Sequence, residues 1–161
     1  MAREAKKQVD NIIDIDLSVT QKQKIRIDGD DNRILLLNTA DFGVVTRLKD
    51  MYPKLTHSAT DAQGNEIDFG SDSDDEYTRI QKAGDAINTI DMQMREGLDY
   101  IFDSNVSEVC APDGTMYDLF NGKFRFELII EKLVELYGQR VKNEYSVMAA
   151  RLKKHTSKYH K

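Results

Sequence analysis

The stretch that decides the fold is FELIIEKLVELYGQRVKNEYSVMAARL, residues 126–152. Its apolar side chains recur at spacings of three and four, so they lie along one face of an α-helix. The residues of this C-terminal stripe are Phe126, Ile130, Leu133, Tyr137, Val141, Tyr145, Met148 and Leu152. Because a helix cannot bury such a stripe against itself, the stripe must pack on the rest of the chain or on a partner. Gly138 is compatible with two helices or with one continuous helix.

A second long helix is predicted to begin at Asp74 or Asp75, where a carboxylate suits a helix N-terminus. Its apolar stripe consists of Tyr77, Ile80, Ala83, Ile87, Ile90, Met94, Leu98 and Ile101, with Phe102 beside it. The connector between the two helices, residues 103–122, contains turn-forming residues and predicts a short helical turn around residues 117–120.

The N-terminal part of the chain predicts a β-hairpin followed by a helix. Residues 23–28 alternate between apolar and charged side chains, residues 33–37 form a more apolar run, and residues 28–32 (DGDDN) suit a turn. Asn38 or Thr39 then caps a helix predicted over residues 40–52, which Pro53 should end. The apolar face of that helix is predicted to comprise Phe42, Val45, Leu48 and Tyr52, with Val44 and Met51 beside it.

These elements define an α+β, helix-dominant fold class: an N-terminal β-hairpin, then three to four helices that end in a long amphipathic C-terminal helix. The 161 residues are long enough to form one core, so residues 1–161 are expected to be a single domain. A subdivision is also compatible with the pattern, with a hairpin and helix in residues 20–60, an exposed acidic loop in residues 61–73 and a helical part in residues 74–155.

The composition excludes several classes of protein. A single cysteine, Cys110, allows no internal disulfide and no multi-thiolate metal site, and a small buried apolar role is expected for it. No apolar run approaches the roughly 20 residues that a membrane-spanning helix needs. The charged N-terminal residues have no apolar segment behind them, unlike a secretory signal, so a cytoplasmic location is expected.

Charge is distributed unevenly along a chain whose net charge is −5. Residues 61–76 contain seven acidic side chains and no basic one, whereas residues 151–161 contain five basic side chains and no acidic one. The basic tail could bind nucleic-acid phosphates, but the overall negative charge argues against a dedicated nucleic-acid-binding protein. Two alternatives are a solvated helix end, or docking on an acidic surface such as a partner's or this chain's own residues 72–76.

No arrangement of residues indicates catalysis, a cofactor or a metal. Asp28, Asp30 and Asn32 match the start of a calcium loop, but the later positions of that loop do not match, and the cluster at residues 72–76 fails in the same way. The three histidines, at positions 57, 155 and 160, lack partners at metal-ligand spacing. A non-enzymatic protein is therefore expected.

Three segments carry a resemblance to a known class: residues 38–41 (NTAD), 99–104 (DYIFDS) and 122–127 (GKFRFE). Their layout, over residues 25–145, resembles small proteins encoded in the tail-gene region of phages and prophages of Gram-positive bacteria, a class identified as tail assembly chaperones. The resemblance implies a largely helical protein that coats the tape-measure protein and recruits tail-tube subunits in the host bacterial cytoplasm.

The partner-binding surface expected for such a protein is part of the C-terminal stripe. Its candidate residues are Ile130, Leu133, Tyr137, Val141, Tyr145 and Met148. Alternatively, these residues form the core. A stripe of this length also allows self-association. Two further functions are a minor tail or head protein retained in the virion, and a small regulatory or nucleic-acid-binding protein that uses the basic tail.

Overall fold

The computed structural model describes residues 13–17, 22–57, 60–61 and 63–157, and it confirms the helix-dominant α+β fold class. The N-terminal hairpin consists of strands β1 (Gln23–Ile27) and β2 (Asp30–Leu37). Helices α1 (Gly43–His57), α2 (Glu76–Phe102) and α3 (Val106–Cys110) follow it. A short second hairpin, β3 (Leu119–Phe120) and β4 (Lys123–Phe124), then leads into the long helix α4 (Arg125–Ser157). The charged N-terminal residues 1–7 and the end of the basic tail, residues 158–161, lie outside the described residues.

The N-terminal hairpin forms where the alternating pattern predicts it. Asp28 and Gly29 have φ angles of 53° and 72°, which is the left-handed conformation that a two-residue hairpin turn requires. The strands are antiparallel, with Ile25 opposite Leu35. Leu35 and Leu37 are fully buried, so this face of β2 is part of the core.

Helix α1 begins and ends later than predicted. The Asp41 carboxylate accepts hydrogen bonds from the Gly43 amide (2.8 Å) and the Arg47 guanidinium (2.6 Å), and so fixes the start of the helix. The helix also continues through Pro53, contrary to the prediction. Leu55, in the turn after the proline, is buried directly against the backbone of Gly97 in α2, and this packing stabilises the extra turn.

The buried face of α1 also differs from the predicted one. Leu48 and Met51 pack against the core together with the buried Val44 and Leu55, whereas Phe42 and Val45 are exposed. The sequence of α1 contains two overlapping stripes at helical spacing, one position apart. Only the position of the neighbouring helix selects between them.

Helix α2 starts where the sequence predicts. Asp75 is its N-cap and accepts a hydrogen bond from the Thr78 amide at 2.9 Å. The predicted stripe is buried only in the second half of the helix, which contributes Ile90, Met94, Leu98, Ile101 and Phe102 to the interior. Tyr77, Ile80 and Ile87, in the first half, are exposed.

The connector differs from the prediction in detail. Its helical segment is α3, at residues 106–110, and not residues 117–120. Leu119 and Phe120 instead pair with Lys123 and Phe124 across a turn at residues 121–122, where both φ angles are positive. The prediction was wrong because Asn121 and Gly122 suit a hairpin turn, which extends the residues on either side.

Helix α4 is continuous through Gly138, so this part of the chain forms one helix and not two. At its start, the Phe124 amide donates a hydrogen bond to the Glu127 carboxylate at 2.8 Å, as in a capping box. The stripe residues in its first half, Phe126, Ile130, Leu133 and Tyr137, are buried in one core with residues from the hairpin, α1, α2 and α3.

Residues 103–124, hereafter the return segment, run back along α2 and are held there by three α2 side chains at spacings of four. Near the end of α2, the Asp99 carboxylate accepts hydrogen bonds from the Ser107 amide (2.7 Å) and hydroxyl (2.8 Å). Two turns earlier on α2, Asp91 accepts a hydrogen bond from the Met116 amide at 2.6 Å. The return segment therefore runs antiparallel to α2.

Arg95 lies between Asp91 and Asp99 on α2, and it binds more residues of the return segment than either carboxylate does. Its guanidinium donates to the carbonyl oxygens of Ala111 and Gly114, both at 2.9 Å, and pairs with Asp91 at 2.7 Å. A planar guanidinium with five N–H donors can bind several carbonyl oxygens at once, which a lysine cannot reproduce.

We expect Arg95→Met to lower the free energy of unfolding by about 3 kcal/mol, because it leaves carbonyl oxygens of the return segment without their donor and the Asp91 carboxylate without its ionic partner in a half-buried site. Urea denaturation followed by circular dichroism measures the change. The matched control is Arg79→Met on the same helix, whose ion pair with Asp72 is long (3.9 Å) and exposed. Equal losses in the two variants would contradict a central role for Arg95.

Candidate interaction surface

The structure divides the six candidate residues of the C-terminal stripe into two groups. Ile130, Leu133 and Tyr137 are buried in the core. Val141 is half-buried, whereas Tyr145 and Met148 are 66% and 49% exposed. Every residue from 142 to 154 is exposed. We call residues 141–154 the α4 arm.

The α4 arm extends beyond the core because α2 and α4 run parallel, with residues at a constant separation in sequence lying at the same level along both helices. The aromatic rings of Phe102 and Tyr137 lie 5.9 Å apart, at the end of α2. Eleven residues earlier on each helix, Asp91 and Phe126 lie at a common level, because both bind the backbone of Met116. Helix α2 ends at Phe102, so α4 has no neighbouring α2 beyond Tyr137. At 1.5 Å per residue, the described arm is about 20 Å long.

The arm exposes the same face that the first half of α4 uses in the core. Successive helical residues are rotated by about 100°, so Val141, Tyr145 and Met148 lie within about 80° of Tyr137 around the axis. An apolar stripe of this kind, which the described residues leave uncovered, is a candidate interaction surface.

Two buried polar atoms lie where the arm leaves the body. Within the described residues, the Tyr137 hydroxyl and the Arg140 Nε atom are buried without a hydrogen-bond partner. Burial raises the pKa of Tyr137 to about 12, with a further contribution from the negative charge of Asp41. A buried hydroxyl without a hydrogen-bond partner costs free energy. The Tyr137 hydroxyl therefore offsets part of the stabilisation that the packing of its ring provides.

At the opposite end of the molecule, α2 also extends beyond its neighbour. We call residues 76–88 the α2 arm. Because α4 begins at Arg125, close to the level of Asp91, no part of α4 lies beside this arm. Tyr77 and Ile80 are 70% and 64% exposed, and Ile87 is exposed on the same face. Sequence reasoning missed this second surface, because the stripe of α2 has the same periodicity in its covered and uncovered halves.

The preceding acidic loop packs along another side of the α2 arm. Lys82 pairs with Asp68 at 3.1 Å and with Asp74 at 3.0 Å. These hydrogen bonds raise the pKa of Lys82, and hydrogen bonds from Ser71 and Lys82 lower the pKa of Asp74. The loop thus holds its carboxylates beside the start of α2.

The carboxylate clusters that resemble calcium loops have other hydrogen-bond partners. Asp28 pairs with Arg33 at 2.7 Å, and Asp30 accepts a hydrogen bond from the Asn32 amide at the start of β2. The cluster at residues 72–76 contains the N-cap of α2. Among the described residues, no group of three histidine, cysteine, aspartate or glutamate side chains could hold a metal ion.

Cys110 lies at the end of α3 and packs against the core. Burial raises the pKa of its thiol to about 11, so the thiol is protonated at neutral pH and is a poor nucleophile. The carbonyl oxygens of Cys110 and Val109 accept hydrogen bonds from Arg33, which joins α3 to the hairpin.

Replacing Tyr137 by phenylalanine should raise the free energy of unfolding at pH 7 by about 1 kcal/mol, because the ring packing stays and the unpaired hydroxyl is removed. The folded protein holds the phenol proton more tightly than the unfolded chain. Wild-type stability should therefore fall as the pH rises from 10.0 towards about 12, and Tyr137→Phe should lack this part of the fall. Urea denaturation at pH 7 and at several alkaline pH values measures both effects. A destabilised phenylalanine variant would indicate that the hydroxyl has a partner.

Over the described residues, none of the helices has the combination of length and apolar character that crossing a bilayer requires. No protein-family model, curated protein or solved structure matches the chain.

Proposed function

We propose that the protein is a non-enzymatic phage tail assembly chaperone, which binds tape-measure and tail-tube proteins in the cytoplasm of the host bacterium during tail assembly. The proposal takes its identity from the resemblance of residues 38–41, 99–104 and 122–127 to proteins of the tail-gene region. Its physical support is the α4 arm.

The exposed stripe of the α4 arm is the single observation that carries the proposal. Val141, Tyr145 and Met148 offer an apolar face on a helix that is already formed, so little conformational entropy is lost when a partner covers it. An amphipathic helix of this kind binds another helix through residues spaced by three and four. A long, apolar, helical tail protein such as a tape measure has the matching chemistry.

Because only part of the C-terminal stripe is exposed, the proposed partner-binding surface is confined to the α4 arm. Ile130, Leu133 and Tyr137 contribute to stability, and a partner could reach them only by opening the core. Polar and charged residues surround the exposed stripe, which limits the area of contiguous apolar surface. A chaperone needs this combination of an accessible apolar strip and a surface that remains soluble.

The test is a pull-down from cells that produce the phage, with the tagged chain and its Tyr145→Asp/Met148→Asp variant. Wild type should capture the tape-measure protein, identified by mass spectrometry, and the double variant should lose at least nine-tenths of that capture. Both positions are exposed, so the variant should retain the wild-type circular dichroism spectrum and thermal midpoint.

Ala150→Asp is the matched control, because Ala150 is exposed and lies about 140° from Tyr145 and about 160° from Met148 around the helix axis. It should capture the tape measure as wild type does. Failure of wild type to capture any tail protein would reject the proposal. Stoichiometric presence of the chain in purified particles would instead support the alternative, a structural protein retained in the virion.

A further inference from the structure

The two arms lie at opposite ends of the molecule and have opposite charge. The α4 arm with Arg140 contains five basic residues and one acidic residue. Residues 66–88, which comprise the α2 arm and the loop packed along it, contain seven acidic residues and two basic ones. Along the parallel helices, Arg151 and Glu76 of one chain are about 60 Å apart. Described residues of the α4 arm therefore cannot reach the acidic end of their own chain.

The exposed faces of the two arms are continuations of one interface. In the core, α2 and α4 meet through Phe102 and Tyr137. Around the α2 axis, Ile80 and Ile87 lie within about 60° of Phe102, on the side where α4 packs further along the helix. The α4 arm likewise continues the face of Tyr137. Each arm thus presents the half-interface that the other one lacks.

We infer that copies of this chain associate head to tail, with the α4 arm of one copy packed in parallel against the α2 arm of the next. Tyr145 and Met148 of the first copy then cover Ile80 and Ile87 of the second. Arg151 lies near the end of the α2 arm that is closer to the core, and the basic character of the α4 arm faces the acidic surroundings of residues 66–88. The contact repeats the α2–α4 packing found within one chain.

The geometry of this contact determines the kind of assembly. Its two sides are different surfaces, so a pair of copies retains one free α2 arm and one free α4 arm, and association continues into an open chain or closes as a ring. Within one chain, each α2 residue lies level with the α4 residue 35 positions later in the sequence. When Tyr145 of one copy instead lies level with Ile80 of the next, the next copy is displaced by about 45 Å along the helix axis relative to the first. The shift places α2 of the second copy beyond the end of α2 of the first.

This self-association is independent of the proposed function, but it uses the same α4 arm. A tape-measure helix and a second copy would therefore compete for Tyr145 and Met148. The α2 arm has no part in the proposed binding of a tail protein, so an α2-arm variant separates the two ideas.

The test uses two variants, Ile80→Asp in the α2 arm and Met148→Asp in the α4 arm, in sedimentation velocity over a range of concentrations. Wild type should reach masses above two chains of 18.4 kDa as the concentration rises. Each variant alone should dissociate at least tenfold more readily than wild type and stay at the mass of one chain at concentrations where wild type associates. An equal mixture should recover association and stop at two chains, because only one intact pair of arms remains.

Other outcomes would overturn the inference. Association of Ile80→Asp alone, with none by Met148→Asp, would indicate pairing of two α4 arms. The reverse would indicate pairing of two α2 arms, and a wild type that stays at the mass of one chain would reject self-association. Ala150→Asp, on the far side of the α4 arm, should associate as wild type does.

Salt dependence tests the charge complementarity separately. Association should weaken at least several-fold between about 50 mM and 500 mM NaCl, because the facing charges are exposed and screened. An increase in association with salt would contradict the proposed orientation. Capture of the tape measure by Ile80→Asp should be at or above the wild-type level, because a second copy no longer occupies the α4 arm. The loss of self-association therefore leaves capture of the tape measure measurable.

Discussion

The interaction on which the rest of the structure depends is the ion pair of Asp91 and Arg95 on α2, at 2.7 Å. Together with Asp99, this pair holds the return segment against α2 by hydrogen bonds to its backbone. Two helices joined by a short loop pack antiparallel. Here the chain instead travels back along α2 before α4 begins, and so α4 runs parallel to α2.

The parallel direction has a consequence for both ends of the molecule. Each helix overlaps the other for only part of its length, and the overlap contains the core. Beyond the overlap, α2 extends at one end and α4 at the other, and each exposes the apolar stripe that it buries in the middle. The two candidate surfaces thus have one origin, the displacement of two parallel helices along a common axis.

Much of the local structure was predictable because its causes are local. The hairpin turn at Asp28 and Gly29, the N-cap at Asp75 and the helical character of residues 126–152 each depend on residues a few positions apart. The errors occurred where packing between distant residues decided the outcome. Pro53 did not end α1 because Leu55 packs on Gly97, and the buried face of α1 depended on α2. The spacing of Asp91, Arg95 and Asp99 resembles that of ordinary surface ion pairs on a helix, and nothing local distinguishes it.

The sequence by itself determined the N-terminal hairpin, the two long helices α2 and α4, the apolar stripe of each of these two helices and where the charge is concentrated. Periodicity and capping depend on residues a few positions apart, so they can be recognised from the sequence without a structure. Only the tertiary structure decided that Ile130, Leu133 and Tyr137 are core while Tyr145 and Met148 are exposed, since all five share one stripe. That division depends on where α2 ends beside α4. Hydrogen bonds between α2 and a segment up to 25 residues further along the chain set that position, and no helical pattern contains this information.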